Sequence, residues 1–260
     1  MAPGQARPEL VAIVGPTASG KSDLAISIAQ EFDGEIISAD SLTVYKNMDI
    51  GTAKPTMAER AGVMHWGFDL IGPGQRFTAA QYKDYAKGKI AEIRKRGRLP
   101  MLVGGTGLYM NAVIYDYKFS PVGGERDPVN PRHLKRSAQM RQVKIMIPGV
   151  LIVGLLPSDD LLKEKIAKRV EAMFDTGLVD ETQSLIKQYG AESLMAKAKV
   201  AYGPVIQYLW GEFTLPEAKD RLKIVHWQYA RRQKTWFKRN PEIRWFDSAD
   251  MAYEYLTKLP

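Results

Sequence analysis

The sequence predicts an α/β fold in which a parallel sheet is flanked by helices and followed by a mostly helical C-terminal part. Short apolar runs at Leu10–Val14, Glu35–Ser38, Leu99–Val103 and Val150–Leu156 read as buried strands. Stretches with apolar residues at helical spacing separate most of them, and strands alternating with helices make parallel sheets covered on both faces. From Ser158 onward nearly all the periodicity is helical.

The first strand runs into Gly15-Pro16-Thr17-Ala18-Ser19-Gly20-Lys21-Ser22 and then into a helix carrying Leu24, Ala25, Ile28 and Ala29. Strand, glycine loop and helix are the context that the phosphate-binding pattern G-x-x-x-x-G-K-[ST] requires, so the sheet is expected to be P-loop NTPase-like. Loop amides and the helix N-terminus are suited to phosphate oxygens. Lys21 is expected to reach the terminal oxygens, and the Ser22 hydroxyl to be a magnesium ligand. The alternative is a chance glycine turn. Asp40 ends the second strand and Thr106 follows the third, in Gly104-Gly105-Thr106-Gly107-Leu108-Tyr109. Ligands of such sheets gather at the carboxyl ends of strands, so all three polar elements are expected to face one crevice.

Further along, Thr78 should cap a helix that Gly97 stops, and Trp66–Ile71 is a weak strand candidate. The segment 116–131 reads as loop, and Asn130–Arg141 as a basic helix. Leu161, Leu162, Ile166, Val170 and Phe174 mark one later helix, and Leu178, Thr182, Leu185 and Ile186 the next. A long helix from Thr214 places Leu215, Ala218, Leu222, Val225, Tyr229 and Trp236 in a stripe expected to be core. Its other faces carry Lys219, Lys223, Arg231, Arg232, Lys234 and Lys238, either a solvated surface or a track for a phosphate backbone. Ile243–Phe246 and Ala249–Lys258 suggest a last strand and helix. The whole chain, 1–260, reads as one domain.

Composition narrows the chemistry. The 260 residues include no cysteine, which removes disulfides and thiolate chemistry, and three histidines without metal-ligand spacing. No apolar run approaches the length of a membrane span, and Met1–Glu9 lacks a signal-peptide core. A cytoplasmic location and a monomer are the default expectations. The net charge of +8 favours polyanionic partners.

Four stretches together carry a resemblance. They are Gly15–Ser22; Asp40-Ser41 with Tyr45; Met48-Asp49-Ile50-Gly51-Thr52-Ala53-Lys54-Pro55; and Leu102–Tyr109. With the later Tyr229–Phe237, the chain resembles the tRNA dimethylallyltransferases, also called tRNA isopentenyltransferases, over nearly its whole length. The resemblance implies transfer of a dimethylallyl group from dimethylallyl diphosphate to the exocyclic N6 of the adenosine beside the tRNA anticodon, position 37. Gly15, Pro16, Thr17, Ala18, Ser19, Gly20, Lys21 and Ser22 would then hold the diphosphate leaving group with Mg²⁺. Asp40 matches the family's general base; the other readings of its position are a turn cap or a second-shell magnesium partner. Thr106 carries over as a polar contact in the reaction channel, or else it caps the next helix. Contacts to the anticodon arm carry over to Asp40, Ser41, Leu42, Thr43 and Thr106, and to Arg132, His133, Leu134, Lys135 and Arg136.

The chain also departs from the family's pattern. Thr43 stands where most members have glutamine, Ala201-Tyr202-Gly203-Pro204 lacks a basic residue, and His226-Trp227 replaces a Thr-Arg pair able to bind diphosphate. The family's helical insertion is largely missing, with the 116–131 loop in its place. Other readings therefore stay open: an isopentenyltransferase acting on free adenine nucleotide, a P-loop small-molecule kinase, or a non-catalytic RNA-binding remnant.

Overall fold

The computed structural model describes residues 8–119 and 145–259, so the expected helix at 130–141 and Arg132, His133, Leu134, Lys135 and Arg136 lie outside the described residues. Six parallel strands form one sheet in the order β3-β2-β4-β1-β5-β6. They are β1 Leu10–Val14, β2 Gly34–Ser38, β3 His65–Trp66, β4 Leu99–Gly104, β5 Val150–Leu155 and β6 Arg244–Phe246. The helices are α1 Lys21–Glu31, α2 Ala79–Lys95, α3 Gly107–Ile114, α4 Asp159–Asp175, α5 Leu178–Tyr189, α6 Ala191–Leu209, α7 Leu215–Phe237 and α8 Ala249–Thr257. The expected α/β architecture with a helical C-terminal part is the one observed.

Strand β1 sits in the middle of the sheet, paired with β4 and β5, and its side chains alternate between two cores. Val11 and Ile13 meet α1 and α8 on one face. Leu10, Ala12 and Val14 join a larger cluster that includes residues of α2, α3 and α4–α7 on the other. The helix boundaries follow local chemistry. Thr78 and Thr214 form capping boxes with Gln81 and Glu217 at the starts of α2 and α7.

Four expectations change. The Trp66–Ile71 strand shrinks to His65–Trp66, because Gly67 and Asp69 adopt left-handed φ of 91° and 56°. The chain instead returns to a single bridge between Tyr45 and Ile71. Helix α6 forms where none was expected, across Gly203 and Pro204 and a break at Ala198; burial of Ala201 through Ile206 outweighs the poor helix propensity. Leu161 lies on the exposed side of α4, whose buried face is Leu162, Ile166, Val170 and Met173. In α7 the buried stripe is Ala218, Leu222, His226, Ala230, Gln233 and Phe237, rotated from the expected one, and Leu215 is exposed. Two polar residues therefore enter a face that apolar periodicity could not locate. Among the described residues, no helix is long and apolar enough to cross a membrane.

His226 is buried, with one ring nitrogen bonded to the Val200 backbone and Nδ1 without a partner among the described residues. Burial, and then the nearby Arg169 charge, lower its pKa to about 4. Between pH 6.5 and 4 the unfolded chain takes up a proton that the folded chain refuses, so stability falls as pH drops through that window. The full penalty is about 3 kcal/mol. In urea unfolding at pH 6.5 and pH 4.5, the wild type should lose about 2–3 kcal/mol more than His226→Gln. Equal losses would show that the imidazole is not held neutral.

Candidate functional site

The site lies at the carboxyl ends of β1, β2 and β4. The loop after β1 opens with Gly15 at φ 147°, where a Cβ would lie 2.5 Å from the Leu155 carbonyl oxygen of β5. Ala18 and Gly20 also take positive φ, so the loop curls tightly before α1 begins at Lys21. The Lys21 ammonium donates to the Pro16 carbonyl at 2.6 Å and lies 3.5 Å from Ser19 Oγ, folded over its own loop. Burial, and then the Arg169 charge, lower its pKa to about 7 against the opposing pull of Asp40.

Two side chains from distant helices fix Thr17 at the crown of this loop. Arg169 of α4 donates to Thr17 Oγ1 at 3.1 Å, and Gln233 of α7 accepts from the Thr17 amide at 2.8 Å. The Gln233 amide also donates to the Gly105 carbonyl at 3.1 Å, so it spans the loops after β1 and β4. Gly105 has no room for a side chain, since a Cβ would sit 2.0 Å from Gln233 Nε2. Neither Arg169 nor Gln233 was expected from the sequence. An arginine on α4 and a glutamine in an apolar stripe carry no local motif; the one available signal was a polar residue at buried helical spacing.

Asp40 follows β2 directly. Its Oδ1 accepts the Leu42 amide at 2.9 Å, so it does cap the turn, yet it also lies within electrostatic reach of Lys21. Burial raises its pKa, opposed by the Leu42 amide, the Lys21 charge and the Thr43 amide. Thr106 makes no capping bond to α3. Its Oγ1 accepts the Ser41 amide at 2.9 Å and donates to Ser41 Oγ at 3.2 Å, and it also bonds the Tyr229 side chain. Tyr82, Tyr109 and Tyr229 all lie within electrostatic reach of Asp40; burial, and with it the Asp40 charge, raises their hydroxyl pKa values. Tyr82 and Tyr109 stack with centroids 4.0 Å apart.

The remaining expected residues separate. Ser41 and Leu42 are half-buried at the crevice. Thr43 is turned inward, its hydroxyl 3.0 Å from Ser38 Oγ and bonded to the Asp40 carbonyl, so it offers nothing to a base edge. Lys163 lies over the Trp227 ring on the α4 side of α7. The Met48–Pro55 string is structural. Glu181 of α5 accepts the amides of Asp49, Ile50 and Gly51 and the Tyr202 hydroxyl. Lys54, nearly fully buried, bonds Asp49, Asp69 and the Tyr45 carbonyl.

Among the described residues, no cluster of three histidine, aspartate or glutamate side chains is able to hold a metal by itself. Ser22 is exposed at the first turn of α1, and its hydroxyl makes no hydrogen bond to any described residue. That sparse donor set fits a magnesium ion that arrives on a diphosphate and keeps most of its ligands from phosphate and water.

With this geometry in hand, comparison with known proteins is specific. The sequence model of the IPP transferase family matches residues 43–148 and 132–240, and that of isopentenyl transferase matches 8–70. A tRNA dimethylallyltransferase of Thermoanaerobacter sp. is 37% identical over 301 residues, covering 96% of this chain and 95% of its own. One of Desulfitobacterium hafniense is 33% identical over 287 residues, covering 92% and 91%. Both aligned stretches exceed the 260 residues present here, so these relatives carry residues without a counterpart in this chain. The crystal structure of the full-length tRNA isopentenylpyrophosphate transferase of Bacillus halodurans superposes with a TM-score of 0.80, at 33% identity and 95% coverage of each chain. Fold, phosphate loop and near full-length similarity agree, and the chain belongs to the IPP transferase family.

Proposed function

We propose that the protein transfers a dimethylallyl group from dimethylallyl diphosphate to N6 of the adenosine beside the anticodon of tRNA, releasing diphosphate. The observation that carries this reading is the placement of Asp40, at the end of β2 with only β4 between it and the strand of the phosphate loop, and electrostatically coupled to Lys21. The bond from the allylic carbon to the diphosphate oxygen breaks, and its electron pair leaves with the diphosphate. Lys21, Arg169 and the loop amides meet that growing negative charge. The carbon bonds N6, and the amine proton passes to the Asp40 carboxylate. A carboxyl with a raised pKa is a better base than an exposed one. Tyr82, Tyr109 and Tyr229 give the allylic cation aromatic surroundings. The Ser22 hydroxyl would hold a magnesium ion, which supplies Lewis-acid stabilisation of the departing oxygens.

The residues that the relatives carry and this chain lacks keep a second acceptor in view, free adenine nucleotide. Labelled dimethylallyl diphosphate offered with an anticodon stem-loop or with adenylate separates the two. Label on the stem-loop supports the tRNA reading, and label on adenylate alone rejects it. Asp40→Asn keeps the shape of the turn and should cut single-turnover transfer by about 10²–10⁴-fold, with diphosphate affinity changed no more than a few-fold. Wild-type transfer in that variant would remove Asp40 as the base.

Lys21 provides a pH test. With a free-state pKa of about 7, it is largely neutral at pH 8, and a bound diphosphate should return it to the charged form. Binding at pH 8 should therefore take up protons, read by calorimetry in two buffers of different ionisation enthalpy, and affinity should rise as pH falls toward 7. Lys21→Arg, always charged, should remove its share of this uptake. An unchanged uptake would place the titrating group elsewhere.

A further inference from the structure

Strands β1 and β4 run side by side, and their pairing ends at Val14 opposite Gly104. Beyond that pair the two loops part. One forms the phosphate site, and the other leads through Gly105 to Thr106. Among the described residues, no backbone hydrogen bond joins them. The Gln233 carboxamide stands where the next ladder bonds would be. Like a peptide group, it accepts an N–H on one side, from Thr17, and donates to a C=O on the other, that of Gly105.

The loop after β4 carries this connection on to Asp40. Gly104 packs on Ala39, the residue before Asp40, so closely that a Cβ would lie 2.3 Å from the Ala39 carbonyl oxygen. That oxygen accepts the Thr106 amide at 3.1 Å, and the Ala39 amide donates to the Val103 carbonyl at 2.7 Å. Gln233 also interacts with the Tyr229 hydroxyl, which reaches Thr106. A series of short contacts thus runs from the phosphate loop to Asp40. Its one link made by a side chain is Gln233, which is only 5% exposed.

When the allylic C–O bond breaks, its electron pair stays on the diphosphate, and the cation bonds the nearest nucleophile. Bonding to N6 gives the prenylated base, and the amine proton passes to Asp40. Bonding to water gives dimethylallyl alcohol, and the proton passes to solvent. Misplacing a reacting atom by about 1 Å can cost about 10²-fold in rate. The distance between the loop that holds the leaving group and the loop that lines the acceptor channel therefore decides between the two products. We propose that Gln233 is a positioning residue that sets this distance and so directs the allylic cation to the amine rather than to water. The proposal rests on dimethylallyl transfer as the reaction.

The test compares the wild type with Gln233→Leu, which removes both hydrogen bonds at similar volume, and the milder Gln233→Asn, whose carboxamide is one methylene too short to span the loops. Each protein is given labelled dimethylallyl diphosphate with an anticodon stem-loop or with adenylate. Label is then divided between prenylated acceptor and dimethylallyl alcohol, after subtraction of the enzyme-free background. That ratio comes only from molecules that react, so it does not depend on how much of a variant is folded. Both variants should lower the ratio of transfer to alcohol by about tenfold or more, with diphosphate affinity changed no more than a few-fold. An unchanged ratio in both variants overturns the proposal, and a lowered unfolding midpoint beside it would make Gln233 a structural tie alone. A wild type that labels adenylate alone rejects tRNA as the acceptor, and the ratio on adenylate then decides the role of Gln233. A wild type that labels neither acceptor overturns the reaction and the proposal together.

Discussion

The carboxamide of Gln233 ties the site together. It accepts from the Thr17 amide and donates to the Gly105 carbonyl, so one side chain from α7 fixes the spacing between the loops after β1 and β4. Because it lies in the buried face of its helix, the pairing is screened little by water and strongly favoured over leaving either backbone group unmet. Tyr229 and Trp236, four residues before and three after, are carried to Thr106 and Gly107 by the same docking. The catalytic crevice thus depends on a helix that begins more than a hundred residues after the last crevice loop.

A second layer of polar clamps holds the wall opposite. The turn after β2 carries Asp40, and the 48–55 segment that follows has few apolar residues to bury. Its conformation is set by charge. Glu181 collects three successive amides, as a bound anion would, and the Tyr202 hydroxyl completes its coordination. Lys54 does the converse, joining Asp49 and Asp69 to the Tyr45 carbonyl from a nearly dry position. With Lys54 buried and both carboxylates about half exposed, these pairs add little net stability and act chiefly to fix the arrangement of the crevice loop.

Much of this was legible in the sequence, and the limits have physical causes. Glycine loop, Asp40 and Thr106 each follow an apolar strand, so the rule that strand ends share a crevice was enough to bring them together. Arg169 and Gln233 were invisible because their significance comes from where α4 and α7 dock, which periodicity does not encode. The α7 stripe was rotated for the same reason: a reading that assigns burial to apolar residues cannot choose His226 and Gln233 over Val225 and Trp236. Helix α6 was missed because Gly203-Pro204 is a local stop signal that tertiary burial overrides. The Met48–Pro55 string stood out as distinctive, yet its residues prove to be scaffold, so distinctiveness alone did not identify chemistry.

On the proposed reaction, the rigidity of the phosphate loop has a reason. In phosphoryl transfer the phosphorus moves, and the cations must follow charge onto a group in transit. Here charge accumulates on the group that stays behind. A loop locked at Thr17 from both sides, by Arg169 on the hydroxyl and Gln233 on the amide, is preorganised for an anion that gains charge without changing place. The proton released by the amine must then be collected by a carboxyl that these cations do not hold at too low a pKa to accept it. Asp40 meets that condition: burial raises its pKa against the pull of Lys21. The same enclosure depresses Lys21, so the two groups approach each other in proton affinity, and a bound diphosphate returns Lys21 to its charged form.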